Sequence, residues 1–197
     1  MPGRLPQGGN GINMAPVRIE EAAVIMIAFQ NEYLTGPLAL PGARPAIGAA
    51  KRLLALARRA KRPVLHIAHR GRAGRCFDCA SERGQFVKGL APRGGEAMIG
   101  TASPGALPPA DLPGWLAESG ARSLIVAGFM TDVCVSTTAQ AARQLGYRVT
   151  VDASACATRG LPGLSGWDVD ASTLQAVALA ELAARNVAIA HGCETLV

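Results

Sequence analysis

Short apolar runs alternate along this chain with segments of helical periodicity, and this alternation limits the possible folds more than any other feature. The runs "AAVIMIAF" (22–29), "VLHIAH" (64–69) and "SLIVAG" (123–128) lack the alternation of a half-exposed strand and are typical of strands buried on both faces. Between the first two runs, apolar residues recur at helical spacing at Ile47, Ala50, Leu54 and Ala57. The pattern predicts an α/β fold, a parallel sheet with helices on both faces.

Weaker signals complete the predicted order of elements. We expect a strand at 96–99, a helix that begins at the N-cap Asp111, a helix at 132–145, and a strand at 147–153, followed by a helix at 171–184 and a last strand at 186–190. The segment 70–95 is rich in glycine and arginine and has no clear period, which predicts a long surface excursion; loops of that length are often functional.

Size and charge set the broad class of the protein. A chain of 197 residues predicts one domain, here residues 18–197, preceded by a flexible arm at 1–17. The net charge of +6 would suit a nucleic-acid partner, but the basic residues are scattered and are not interleaved with aromatic residues, so we expect a solvated surface and no nucleic-acid partner. An odd number of cysteines, five, with no export signal and no long apolar segment, predicts a cytoplasmic protein without a membrane partner.

Cys134 is the residue most suited to chemistry. It follows the apolar run that ends at Gly128, and sites in open α/β sheets lie beyond the carboxyl ends of the strands. If Thr131 is the N-cap of the next helix, Cys134 occupies the third helical position, where the helix dipole would favour a thiolate and lower its pKa. A buried cysteine that only packs beside its valine neighbours fits the position equally well.

The segment "GFMTDVCVSTTAQAARQLGYRVTVDASACATR" resembles the nucleophile region of the isochorismatase-like cysteine hydrolases, which read roughly G-x-x-T-x-x-C-V-x-x-T-A-x-x-A. The segments "FQNEYLTGPLALPGA" and "LAPRGGEAMI" resemble other parts of the same family, so the resemblance covers about residues 22–190. It implies a three-layer fold with a six-stranded parallel sheet in the order 3-2-1-4-5-6.

The resemblance also implies a reaction. In such enzymes the cysteine attacks an amide or ureide carbonyl, and backbone N–H groups hold the oxyanion; the matching positions are Cys134 as nucleophile and Met130 as oxyanion donor. No cofactor or metal is implied. The family commonly forms oligomers, so we expect a homo-oligomer, a dimer or tetramer, that binds a small-molecule substrate.

Two positions of the family's catalytic triad hold other residues in this chain. The acid that precedes the family's glutamine by two residues is replaced by Ala28 in "AFQ", and the lysine falls on Gly100 or Thr101. A positioned general base typically contributes about 10²- to 10⁴-fold to a rate. The family's usual mechanism therefore cannot operate here unless another group replaces the base.

Several residues near these positions are candidates for the site. We expect Gln30, Tyr33, His69 and Phe129 to line the substrate site, with His69 as the replacement base or, alternatively, only a satisfied histidine at a strand end. Gln30 would either donate to a substrate carbonyl or fix its own loop. Glu32 is interpreted as a loop anchor and His66 as a core residue.

The remaining cysteines have no predicted catalytic role. Cys76 and Cys79 form a lone C-x-x-C, and a structural zinc site needs two further ligands, so free thiols are favoured over a metal site. Cys156 is expected to be packed, and Cys193 has no discernible role.

Three functions fit these observations. The first is a hydrolase that cleaves a C–N bond of a small molecule. The second is a ligand-binding pseudoenzyme that keeps the pocket but lacks the catalytic acid and lysine. The third is an oligomeric protein that binds a partner.

Overall fold

The computed structural model describes residues 14–102, 108–163 and 166–197. Six strands form one sheet: β1 (Ala22–Ile27), β2 (Val64–His69), β3 (Ala97–Thr101), β4 (Ser123–Phe129), β5 (Arg148–Ala157) and β6 (Ala188–Ala190). Every pairing between neighbouring strands is parallel, and the strand order is β3-β2-β1-β4-β5-β6. Both the fold class and the strand order are therefore confirmed.

Five α-helices connect the strands or follow them: α1 (Glu32–Thr35), α2 (Ala43–Arg59), α3 (Leu112–Glu118), α4 (Ser136–Gln144) and α5 (Ala171–Ala184). Helix α2 packs against β1, β4 and β5, whereas α4 and α5 pack against each other and against β5 and β6, respectively. Helix α5 has the predicted bounds, and α3 begins after Asp111, although the Asp111 side chain makes no capping hydrogen bond. The short helix α1 was not predicted, because it lies in a segment rich in glycine and proline.

The centre of the sheet is closely packed. All residues of β1, β2 and β4 are buried, as their continuous apolar runs predict. A Cβ at Gly128 would lie 2.6 Å from the Cβ and the carbonyl oxygen of Ile27, so only glycine permits β4 to pair this closely with β1 at its carboxyl end. The chain after β4 thus begins directly beside the end of β1.

An irregularity in β5 opens a cavity at the same edge of the sheet. Val126 pairs with Val151 but Gly128 pairs with Cys156, so β5 has three extra residues over this interval. The bulge lines a cavity of about 460 Å³ between the amino ends of α2 and α5.

Residues 1–13 of the predicted arm lie outside the described residues. Val17, at the end of that arm, is buried, and its N–H group donates to the Thr150 hydroxyl at 2.9 Å. Among the described residues, no helix is long and apolar enough to cross a membrane.

Candidate active site

The sheet order brings the ends of β3, β2, β1 and β4 together, and four candidate residues lie there. His69 ends β2, Thr101 ends β3 directly opposite it, Ala28 follows β1, and Cys134 lies in the turn after β4. All four are buried. Carboxyl ends of parallel strands meet at one edge of a sheet, which is where ligands bind in folds of this class.

The turn that carries Cys134 differs from the predicted capped helix. Met130 adopts a left-handed conformation (φ 60°), and Thr131–Val135 form one π-helical turn before α4 begins. The Met130 carbonyl accepts the N–H groups of Val133, Cys134 and Val135 at 3.1, 2.8 and 3.2 Å. Thr131 is therefore part of the turn and not its N-cap, and the predicted helix at 132–145 is wrong in its first turn.

The two amides that the resemblance assigns to the oxyanion site already have acceptors. The Met130 N–H donates to Ala157 O at 2.8 Å, and the Cys134 N–H donates to Met130 O. In this conformation neither amide points to a free position where an oxyanion could form. A role for Met130 as oxyanion donor would require the first of these bonds to open.

Burial controls the acidity of Cys134. Its side chain has no exposed surface, and burial, followed by the nearby Asp132 carboxylate, raises the pKa of the Cys134 thiol to about 12. The prediction that the helix dipole would lower this pKa is therefore wrong, because loss of solvent disfavours the thiolate more than the start of the turn favours it. Asp132 itself accepts a hydrogen bond from the Thr158 hydroxyl.

The His69 imidazole lies between Cys134 and Thr101. Its Nε2 lies 3.8 Å from the Cys134 Sγ, and its Nδ1 lies 2.8 Å from the Thr101 Oγ1. Burial lowers the pKa of His69 to about 4, so the imidazole is neutral at pH 7. In the tautomer with the proton on Nδ1, the imidazole donates to Thr101 and its Nε2 lone pair faces the thiol.

The positions that the resemblance assigns to the family's acid and lysine lie directly around this pair. Ala28 is fully buried and left-handed (φ 53°), and its N–H donates to Ile67 O of β2 at 2.7 Å. Strand β1 lies between the strands that carry His69 and Cys134, so a methyl group occupies the place of the acid. Thr101, at the lysine position, is the partner of His69.

Gln30 holds the backbone of His69 in place. Its amide nitrogen donates to the carbonyl oxygens of His69 and Gly84 at 2.9 and 2.7 Å, and its amide oxygen accepts the His69 N–H at 2.8 Å. Of the two interpretations of Gln30, the structure supports fixing the loop, since these bonds tie β2 to the excursion at 70–95. Glu32 anchors the same excursion by accepting the Phe77 N–H at 3.1 Å.

Aromatic rings enclose the site. Tyr33 packs against Phe77 and Phe129 with centroid distances of 5.3 and 5.4 Å, and Phe77 packs edge-to-face against His69 at 4.9 Å. Phe77 was not among the predicted site residues; its signal was the lone large apolar side chain in the charged segment "RCFDCAS". Tyr33 and Phe129 do lie beside the site, as predicted, although no described contact identifies a substrate.

The other cysteines and His66 lie apart from this pair. Cys156 is packed, as predicted, and none of the five cysteines forms a disulfide. Within the described ranges, no three histidine, cysteine or acidic side chains converge as metal ligands. His66 is a buried core residue whose Nε2 lies 2.9 Å from the Glu96 carboxylate.

Comparison with known proteins agrees with the fold. The isochorismatase domain family matches residues 22–189, so the chain belongs to the isochorismatase family. A secreted isochorismatase effector from Verticillium dahliae is 33% identical over 177 residues, covering 88% of this chain and 89% of that protein. A streptothricin hydrolase from Streptomyces noursei is 26% identical and covers 71% of this chain and 51% of that protein.

The solved structures include a similar chain. An isochorismatase from Pseudomonas putida superposes with a TM-score of 0.87 at 36% identity, covering 93% of this chain and 94% of the other. Such agreement over nearly the whole length means that the sheet order belongs to a fold shared with that relative.

Proposed function

We propose that this chain is a small-molecule hydrolase that cleaves a C–N bond of an amide or ureide, with Cys134 as nucleophile and His69 as general base. The observation that carries the proposal is the 3.8 Å contact between the Cys134 Sγ and the His69 Nε2, with Thr101 orienting the ring from its other side. A nucleophile, a base within reach and a group that orients the base form the arrangement required for nucleophilic catalysis. The streptothricin hydrolase among the relatives supports a hydrolytic reaction.

The reaction begins from a neutral pair. At pH 7 the thiol is protonated and the imidazole is neutral, so the thiol proton passes to the His69 Nε2 as the sulfur attacks the carbonyl carbon. When the C–N bond breaks, the leaving nitrogen takes that proton and a thioester remains on Cys134. Water then loses a proton to His69, attacks the thioester and releases the acid and the free thiol.

One observation favours the alternative, a ligand-binding pseudoenzyme. Cys134 has no exposed surface, so a substrate reaches it only if a covering residue moves. Phe77 belongs to the long excursion at 70–95 and contacts both His69 and Tyr33, which makes it the covering residue best placed to move.

Restoring the family's acid and lysine distinguishes the two functions. If His69 is the working base, the unaltered chain hydrolyses nicotinamide or an N-carbamoyl amino acid, and the double variant Ala28→Asp, Thr101→Lys is no faster, because it loses the Thr101–His69 bond. Ammonia release with each substrate measures both rates. Hydrolysis that appears only in the double variant would identify the natural chain as a pseudoenzyme.

The proposal extends to assembly and compartment. Val177 on α5 is 53% exposed and Trp167 before it is 82% exposed, and apolar exposure on this helix supports a homo-oligomer. Light scattering of the purified chain tests this. The same face would serve the third candidate function, the binding of a different protein partner.

Five cysteines without a disulfide support a cytoplasmic location, although one relative is secreted.

A further inference from the structure

The Tyr33 hydroxyl is a buried polar group without a hydrogen-bond partner among the described residues. The side chain is only 1% exposed, so the hydroxyl is also shielded from bulk water. Buried hydroxyl groups are nearly always paired, and one that is not is commonly explained by a functional role. This hydroxyl therefore calls for a ligand atom that can accept a hydrogen bond.

The ring of Tyr33 is fixed beside the catalytic pair. Phe129, which packs against it at 5.4 Å, directly precedes Met130 and the turn of Cys134. On the other side Phe77 packs against both Tyr33 and His69. The hydroxyl thus shares an aromatic compartment with the nucleophile and the base.

The hydroxyl keeps its proton in this compartment. Burial raises the pKa of Tyr33 well above its usual range, the Cys134 thiol raises it further, and only Arg159 lowers it. A protonated phenol can donate a hydrogen bond to negative charge that forms there.

Backbone N–H groups that could donate to such negative charge near Cys134 already have other acceptors. The Met130 and Cys134 N–H groups both donate to backbone carbonyl oxygens. An oxyanion formed at a carbonyl bonded to Cys134 then needs another donor, and such donors contribute strongly to acyl-transfer catalysis.

We infer that Tyr33 is a catalytic residue whose hydroxyl donates a hydrogen bond to the oxyanion formed when Cys134 adds to a substrate carbonyl. The inference rests on the proposed function. The S–C bond forms, the carbonyl π pair becomes the oxyanion, and the thiol proton goes to His69. Tyr33 keeps its own proton throughout and releases the oxyanion when the C–N bond breaks.

Acetaldehyde tests this step without turnover, because a thiol adds to an aldehyde but the adduct has no leaving group. Carbon-13 NMR of labelled acetaldehyde measures the hemithioacetal on Cys134, identified as the signal that is lost in Cys134→Ala. Tyr33→Phe, which removes only the hydroxyl, should weaken acetaldehyde binding about 2- to 10-fold, the usual effect of one hydrogen bond between neutral groups, because the hemithioacetal oxygen takes up the thiol proton. Tyr147→Phe, at the only other tyrosine, is the matched control and should bind acetaldehyde normally.

A second measurement separates the hydroxyl's role from a structural one. Alkylation of Cys134 by iodoacetamide at pH 9 forms no oxyanion, so its rate in Tyr33→Phe should equal that of the unaltered chain. Equal acetaldehyde affinity in the two proteins, an equal fall in both measurements, or no hemithioacetal in the unaltered chain would each overturn the inference. If acetaldehyde binds through Tyr33 but no amide is hydrolysed, the inference stands and the proposed function fails. If Tyr33→Phe hydrolyses amides as fast as the unaltered chain, the proposed function stands and the inference fails.

Discussion

Two buried cysteines at the carboxyl edge of the sheet differ in their neighbours more than in their acidity. Burial is the main cause that raises the pKa of both thiols to about 12, in Cys134 after β4 and in Cys156 within β5. Cys156 borders the cavity of about 460 Å³, and its thiol accepts the Gly128 N–H. Cys134 is sealed but faces the His69 imidazole.

This comparison shows that pKa does not distinguish a nucleophile from a packed cysteine in this fold. With equal acidity, only a base within reach makes attack possible, since the thiol proton must leave as the S–C bond forms. Among the described residues no base is bonded to Cys156, beside the larger cavity, whereas Cys134 faces His69 but is closed from solvent. A smaller cavity of about 280 Å³ borders Gln30 and His69, so open space adjoins the imidazole although the Cys134 sulfur is closed off.

The largest expected effect comes from removing each of the two sulfur atoms in turn. Cys134→Ala should lower amide hydrolysis by at least about 10⁴-fold, since removing a nucleophile abolishes its catalytic unit. Cys156→Ala should retain the rate, because its thiol contacts backbone and no base. Ammonia release compares the two, and circular dichroism checks that both fold. Equal losses would mean that neither cysteine is the nucleophile.

The next effect tests the base. His69→Gln should lower hydrolysis about 10²- to 10⁴-fold, the usual contribution of a general base. His66→Gln is the matched control, because His66 lies on the same strand, is equally buried and bonds to Glu96, away from the thiol. Both variants are compared at the same folded fraction. A loss of rate in His66→Gln as large as in His69→Gln would assign the effect to packing.

The smallest effect concerns stability in acid. Burial lowers the pKa of His69 from its usual value near 6.5 to about 4, so between these values the unfolded chain binds more protons than the folded one. The contribution of neutral His69 to the free energy of unfolding should thus be complete above pH 6.5. The free energy of unfolding should then fall by about 3 kcal/mol by pH 4 on account of His69 alone. The groups facing this ring are Cys134, Thr101 and Phe77, none of which is charged in that range.

Urea unfolding at pH 4 to 7 measures this fall. Burial also lowers the pKa of His66, so the unaltered chain loses more than the His69 share. His69→Gln should remove only the His69 part of this fall, so the free energy of unfolding of this variant should depend less steeply on pH. Parallel curves for the two proteins would show that His69 is not buried as the neutral base.

Much of the fold could be predicted from local patterns. The strands at 22–29, 64–69 and 123–128 and the helix at 171–184 were predicted because apolar runs and local composition depend on residues close in the chain. The resemblance also assigns Ala28 to the family's acid position and Gly100 or Thr101 to its lysine position from the sequence alone. The first turn after β4 was mispredicted, since the left-handed Met130 has no sequence signal as glycine would.

The sequence by itself thus determined the layers of the sheet and the position of Cys134 after a central strand. Only the tertiary structure decided that His69, 65 residues away, would reach the sulfur and that Thr101 would orient it. It also decided that the Cys134 pKa would rise and not fall. The physical reason is that hydrogen bonding across strands and loss of solvent depend on which distant segments pack together, whereas periodicity depends on neighbours in the chain.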